Sequence, residues 1–292
     1  MTPDQYCQER AAPRGSTAYY ALLFAPPAQR QAATAILAFG REVSEVVSEC
    51  TDPDVARAKL EWWRQELERA YAGQPQHPVT RALATHLTHH HLAREQFAEI
   101  ADGAEMDLDQ AEYPSYRELG LYCHRMAGVV WTLVAEVLGY SDRQTLRYAQ
   151  NLGMGVQMTD LIGSLRDDAR RGHVRLPADE MGELGLTRQA LHEPETSLPL
   201  RALVTVQARR AREHFRRARE QLPEVDRERQ RPGLILAAIY EVTLDAMERD
   251  GFHVLERRVI LTPVRRLWIA LATAWGEHRR AASRRGKRGG SG

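Results

Sequence analysis

Apolar residues recur at intervals of three and four along nearly the whole chain, and almost nowhere at intervals of two. That spacing stacks side chains on one face of an α-helix. No run of alternating β-branched residues bounded by hairpin turns occurs. Between residues 27 and about 50, Ala32, Ile36, Phe39, Val43, Val46 and Val47 keep the helical period. Thr51-Asp52-Pro53 stops that helix and caps the next, 53–72, which carries Val55, Leu60, Trp63 and Leu67 on one side and many charges on the other. Further helices are expected over 77–90, 93–101, 113–138, 141–171, 198–221, 233–250 and 263–279, with Pro and Gly in the gaps. No repeat of fixed period and no interdomain linker interrupts residues 2–278; the stretch 177–199 is loop-rich but short. The expectation is one all-α domain over residues 1–278. Met126 to Leu138 and Leu234 to Val242 are apolar on more than one face, as in the inner layer of a bundle or the wall of an apolar cavity.

Charge and cysteine content narrow the function classes. Forty basic residues face thirty-nine acidic ones, for a net charge of +1, so nothing calls for nucleic acid. Cys7, Cys50 and Cys123 form no CxxC pair and read as reduced thiols in a cytoplasmic setting. The opening MTPDQYCQERAAPRGS lacks the apolar core of a signal peptide, and no run of 18 apolar residues is present. Residues 279–292, RRAASRRGKRGGSG, read as a disordered basic tail outside the fold. The charge of that tail also suits peripheral contact with the anionic inner face of a membrane. His86 and His90 have the i, i+4 spacing of zinc ligands but no third partner nearby, so with His89 and His91 they read as a solvated loop. Trp62 and Trp63 read as packing residues. Residues 209–220 alternate basic and acidic side chains and read as an exposed, ion-paired face.

Several segments carry a more specific signal. TAYYALLFAPPAQRQAATAILAFGREVSEVVSE (17–49), KLEWWRQEL (59–67), DGAEMDLDQ (102–110), YCHRMAGVVW (122–131), GVQMTDLIGSLRDDARRGHVRLP (155–177) and RPGLILAAIYEVTLDAMERDGFHVLERRVIL (231–261) follow one another in order. Together they resemble the squalene/phytoene synthase family of head-to-head isoprenyl diphosphate synthases, most of all its bacterial presqualene diphosphate-forming branch. The resemblance spans roughly residues 4–275. It implies a single-domain helical bundle of the isoprenoid synthase type around a deep apolar cavity, prenyl diphosphate substrates and Mg²⁺; no NADPH motif is evident.

Such chemistry needs carboxylates. A departing diphosphate must have its charge neutralised as it develops, and Mg²⁺ takes oxygen ligands, typically from Asp pairs at i, i+4 on facing helices. By the resemblance those pairs fall on Ser44 and Ser48 and on Ser164 and Asp168, so three of four aspartates are serine. Other departures gather at the same place. Asp160 replaces a pocket asparagine, Arg175 replaces a tyrosine, Leu37 replaces another tyrosine, and Trp131 stands where the family has glycine. The resemblance keeps Arg41, Gln157, Arg170, Arg171 and Ser16 as substrate-side positions, with Tyr122 and Tyr240 as catalytic ones. Two substitutes for the lost ligands are conceivable: Glu45 with Glu49 on the first helix, or Asp160, Ser164 and Asp168 as a single-metal triad. Three readings therefore stand. One is a head-to-head prenyltransferase with a weakened metal site. Another is a silent relative that binds isoprenoids or partners an active synthase. The last is a rebuilt single-metal cyclase or lyase.

Overall fold

The computed structural model describes residues 1–50, 52–110 and 112–289. Its helices are α1 (Pro3–Ala11), α2 (Thr17–Leu22), α3 (Pro27–Glu49), α4 (Pro53–Tyr71), α5 (Pro78–Leu87), α6 (Arg94–Asp109), α7 (Tyr116–Cys123), α8 (Val129–Leu138), α9 (Gln144–Arg170), α10 (Ala178–Glu183), α11 (Leu198–Gln221), α12 (Arg231–Arg249) and α13 (Pro263–Gly289). Local sequence sets many of these starts. Proline in the first turn opens α1, α3, α4, α5, α11 and α12, where its missing N–H goes unneeded. Asp52 caps α4, its carboxylate accepting from the amides of Asp54 at 2.9 Å and Val55 at 3.4 Å. Thr51 lies outside the described residues.

α9 is the axis of the bundle. It packs against α11, α8, α12 and α7, and Leu152, Met154, Val156, Met158, Leu161 and Leu165 are buried around more than one face. Two glycines permit that closeness. A Cβ on Gly155 would stand 2.8 Å from the Phe215 ring of α11, and one on Gly153 would stand 2.7 Å from the Gly128 Cα. Gly128 ends a π-helical turn, His124–Gly128, inserted between α7 and α8. The single helix expected over 113–138 is therefore two α-segments joined by a wider turn, and Ser115 caps the first of them. By composition Tyr116–Leu138 is apolar enough to cross a bilayer, but 72% of that apolar window is buried inside the protein, as in the core helix of a globular fold.

Three further expectations are corrected. The buried face of α4 is Ala56, Leu60, Trp63 and Leu67; Val55, one residue off that stripe, is 46% exposed. The helix expected over 93–101 runs on to Asp109, which carries Asp107 inward. The last helix continues beyond Arg279 to Gly289, so the described part of the basic tail is helical, in keeping with its Arg, Ala and Lys content. Residues 290–292 lie outside the described ones.

Two short strands, β1 (Glu112–Tyr113) and β2 (Val174–Pro177), pair in parallel, with Glu112 opposite Val174 and an irregular step before Tyr113 meets Pro177. All four residues of β2 are buried. This pairing fixes the segment after α9 against the end of α6, which determines where Arg175 points.

Candidate functional site

A cavity of about 400 Å³ opens between α2, α3, α9, α12 and the segment leading into α13. Its lining includes Ser16, Arg41, Asp160 and Tyr240, four of the positions singled out in the sequence. Arg258 and Arg266 join them, with Ile260 and Leu261 supplying apolar surface. Tyr240 donates to the Asp160 carboxylate at 3.0 Å. Asp160 has protein on most sides, yet its side chain is exposed to the cavity. Burial pushes its carboxyl up to about 6, against the opposing influence of the Tyr240 hydrogen bond and the Arg258 charge. The same burial, together with Asp160, raises the Tyr240 phenol well above its ordinary value. Arg266 is fixed by donating to the Gly15 carbonyl at 3.0 Å, and Ser16 by accepting from the Tyr19 amide at 3.1 Å as the cap of α2. Arg41 pairs with Glu45 at 2.7 Å. Arg258 makes no ion pair among the described residues. The mouth is thus polar and cationic rather than purely apolar.

A second cluster lies further along α9, behind the cavity. Ser164 donates to Asp168 at 2.6 Å, and Arg175 pairs with the other Asp168 oxygen at 2.7 Å. The same guanidinium reaches Asp107 through its Nε at 3.1 Å and through a terminal nitrogen. Tyr113 donates to Asp107 at 3.0 Å, and the Tyr122 ring lies 5.8 Å from the guanidinium carbon. Burial opposes the charge on Arg175, but Tyr122, Asp107 and Asp168 outweigh it and raise the group above an ordinary arginine, so it stays charged. Tyr122 is buried and its phenol is raised by that burial, the nearby Arg175 acting the other way. It sits beside this ion cluster and is not among the residues lining the cavity.

The remaining positions do not assemble a metal site. Glu45 is held by Arg10 as well as Arg41, and Glu42 by Arg10 at 2.8 Å and the Tyr6 hydroxyl at 2.7 Å. Glu42, Glu45 and Glu49 line a separate groove with Lys59, Trp62 and His77, so they do not stand in for lost ligands at the cavity. Ser48 bonds back to the Glu45 carbonyl at 3.4 Å. Ser44, Ser48, Ser164, Asp168 and Gln157 are absent from the cavity lining. Arg170 and Arg171 are exposed at the end of α9, and Trp131 is buried in the core of α8. The His86 and His90 rings stand 6.1 Å apart, and no group of three His, Cys, Asp or Glu side chains that could hold a metal occurs among the described residues. Of the expected donors, Ser44, Ser48 and Ser164 are neutral hydroxyls, Asp168 and Glu45 are paired with arginine, and Asp160 stands at the cavity with Tyr240 and no second carboxylate among its lining residues, so these residues do not gather the carboxylates that Mg²⁺ takes.

Sequence reasoning missed Arg258, Arg266 and Asp107. Two of them had a visible signal. The run RRVILTPVRR (257–266) sets two arginine pairs on either side of an apolar turn with no acid between them. Asp107 gave no such signal, because its partner lies 68 residues away.

The architecture is that of the isoprenoid synthase helical bundle. It superimposes on a dehydrosqualene synthase with a TM-score of 0.83 at 21% identity, covering 93% of this chain and 95% of that one. It superimposes on the squalene synthase HpnC of Alicyclobacillus acidocaldarius with a TM-score of 0.74 at 22% identity, over 86% and 95% of the two chains. A squalene/phytoene synthase profile matches residues 11–265, and the chain belongs to that family, whose members process prenyl diphosphates in isoprenoid biosynthesis. It is 28% identical to the 15-cis-phytoene synthase of Synechococcus elongatus over 89% of both sequences. It is equally similar to the chloroplastic phytoene synthase of Narcissus pseudonarcissus, over 93% of this chain and 65% of that longer one.

Proposed function

We propose that this chain binds a prenyl diphosphate without metal-driven ionisation, as a silent relative that holds an isoprenoid or serves beside an active synthase. The diphosphate would rest against Arg41, Arg258 and Arg266, with Ser16 and Tyr240 supplying hydroxyls and Ile260 and Leu261 meeting the first isoprene unit. The observation that carries this reading is the capture of Asp168 by Ser164 and Arg175. In this family the second helical motif supplies carboxylates for Mg²⁺; here the one that survives is already neutralised by a protein-borne cation. The single-metal cyclase reading is weakened at the same point, since two of its three members, Ser164 and Asp168, are bonded to each other and Asp168 is also paired with Arg175.

A second reading keeps head-to-head condensation of the presqualene diphosphate or squalene type. It is favoured by one observation: Ser16, Arg41, Asp160 and Tyr240 converge on a single cavity. One experiment separates the two. The protein is titrated calorimetrically with farnesyl thiodiphosphate in EDTA and in Mg²⁺, and pyrophosphate release is followed with farnesyl and geranylgeranyl diphosphates. Binding that persists in EDTA, without Mg²⁺-dependent release, is the expected result. Sustained Mg²⁺-dependent release would establish the synthase reading instead.

A further inference from the structure

α13 presents apolar side chains that the fold does not use. Val264, Trp268, Leu271 and Trp275, at spacings of four, three and four, form one stripe along the helix. They are 66%, 69%, 44% and 65% exposed, while Ala270 and Ala274 of the same helix are buried against the protein. Arg265 is exposed beside the stripe, and the Arg279 guanidinium carbon lies 5.4 Å from the Trp275 ring. Across Pro263–Gly289 the sequence has eight Arg and Lys residues and one acid, Glu277. Glu277 is itself paired with Arg227 at 2.6 Å. The whole chain has a net charge of only +1, so the positive charge is concentrated here.

We propose that α13 docks on the surface of an anionic lipid bilayer, with the stripe Val264, Trp268, Leu271 and Trp275 entering the headgroup region and the flanking arginines meeting lipid phosphates. Tryptophan favours that boundary, where the ring leaves water and the indole N–H stays near polar groups. A helix apolar on one side and basic on the other lies in the membrane plane. A second copy of the chain is a poor occupant, because it would press two strongly basic helices together. The stripe also begins close in sequence to the cavity lining. Ile260, 64% exposed, lines the cavity and lies four residues before Val264. This inference stands apart from the functional proposal, since it needs neither metal nor turnover.

Flotation of the full-length protein with vesicles tests it, using phosphatidylcholine alone or mixed with phosphatidylglycerol. The wild type should float with the anionic vesicles, its tryptophan emission should shift to the blue, and high salt should release it. The double variant W268S/W275S should bind about tenfold more weakly, and R265E/R279E should lose the preference for anionic lipid. All the substituted side chains are exposed, and far-ultraviolet circular dichroism confirms that the fold survives. Wild type that ignores anionic vesicles, or a double variant that floats as well as wild type, overturns the proposal. So does a wild-type dimer in lipid-free sedimentation that the tryptophan substitutions turn into monomer while vesicle binding stays absent.

Discussion

Asp160 and Asp168 stand on the same helix, eight residues and about 12 Å apart, yet their surroundings have opposite characters. Asp168 is enclosed, bonded by Ser164 and paired with a buried arginine that also serves Asp107. Asp160 faces an open cavity with a tyrosine as its hydrogen-bond partner and with Arg41, Arg258 and Arg266 in the same lining. The first region has settled its charges internally and offers nothing to a ligand. The second has cationic capacity to spare. The ability of a carboxylate to serve a ligand depends less on its place in a motif than on whether the protein has already supplied its counter-charge.

The largest expected effect of breaking that contrast falls in the closed region. Arg175→Leu leaves Asp107 and Asp168 buried with hydroxyl partners but without their arginine counter-charge and should cost about 3–5 kcal/mol in urea unfolding. A loss below 1 kcal/mol would mean that the cluster is solvated and the contrast is wrong. At the open region, Arg258→Ala and Arg266→Ala should each weaken farnesyl thiodiphosphate binding by about 1.5–3 kcal/mol, the worth of a charge-assisted hydrogen bond. Unfolding midpoints should move less than in the Arg175 variant.

Asp160 sharpens the comparison through pH. Its folded carboxyl titrates near 6, above the 3.8 of an ordinary aspartate, so the folded state binds the extra proton between those values. Stability from this group is present at low pH and is lost as pH rises through about 6. Asp160→Asn should therefore be more stable than wild type at neutral pH, with the difference vanishing below about pH 4. Ligand affinity follows the same sign: the anion forming above pH 6 repels the diphosphate, and the Asn variant should lack that step. The smallest effect is expected from Tyr240→Phe. Removing a hydrogen bond that favours the ionised carboxylate should move the pH step upward, at a cost of about 0.5–1.5 kcal/mol.

Much of the fold was legible because helix formation is a local matter. The periodicity of α3 and α9, the Asp52 cap and the proline starts all act over a few residues, and the bundle follows from them. The π-turn after Cys123 was hidden, since it depends on the approach of Gly153 to the Gly128 backbone rather than on the composition of either helix. At the site, residues carried by the motifs could be named, and Ser16, Arg41, Asp160 and Tyr240 do meet. What the sequence hid was pairing at a distance. Arg175 looked like a lost tyrosine, whereas it is a counter-ion for carboxylates on two other segments. Glu45 looked like a spare ligand until Arg10, from a different helix, was placed against it.

The hydrogen bond from Arg266 to the Gly15 carbonyl joins positions 251 residues apart. Contacts of such separation close the longest loops, whose ordering cost grows with length. The cavity is not complete until α13 has been synthesised and Arg266 has come back to the start of the chain. A nascent or C-terminally clipped molecule can possess a folded core and still lack the pocket, so the diphosphate affinity proposed above would serve as a readout of completed folding.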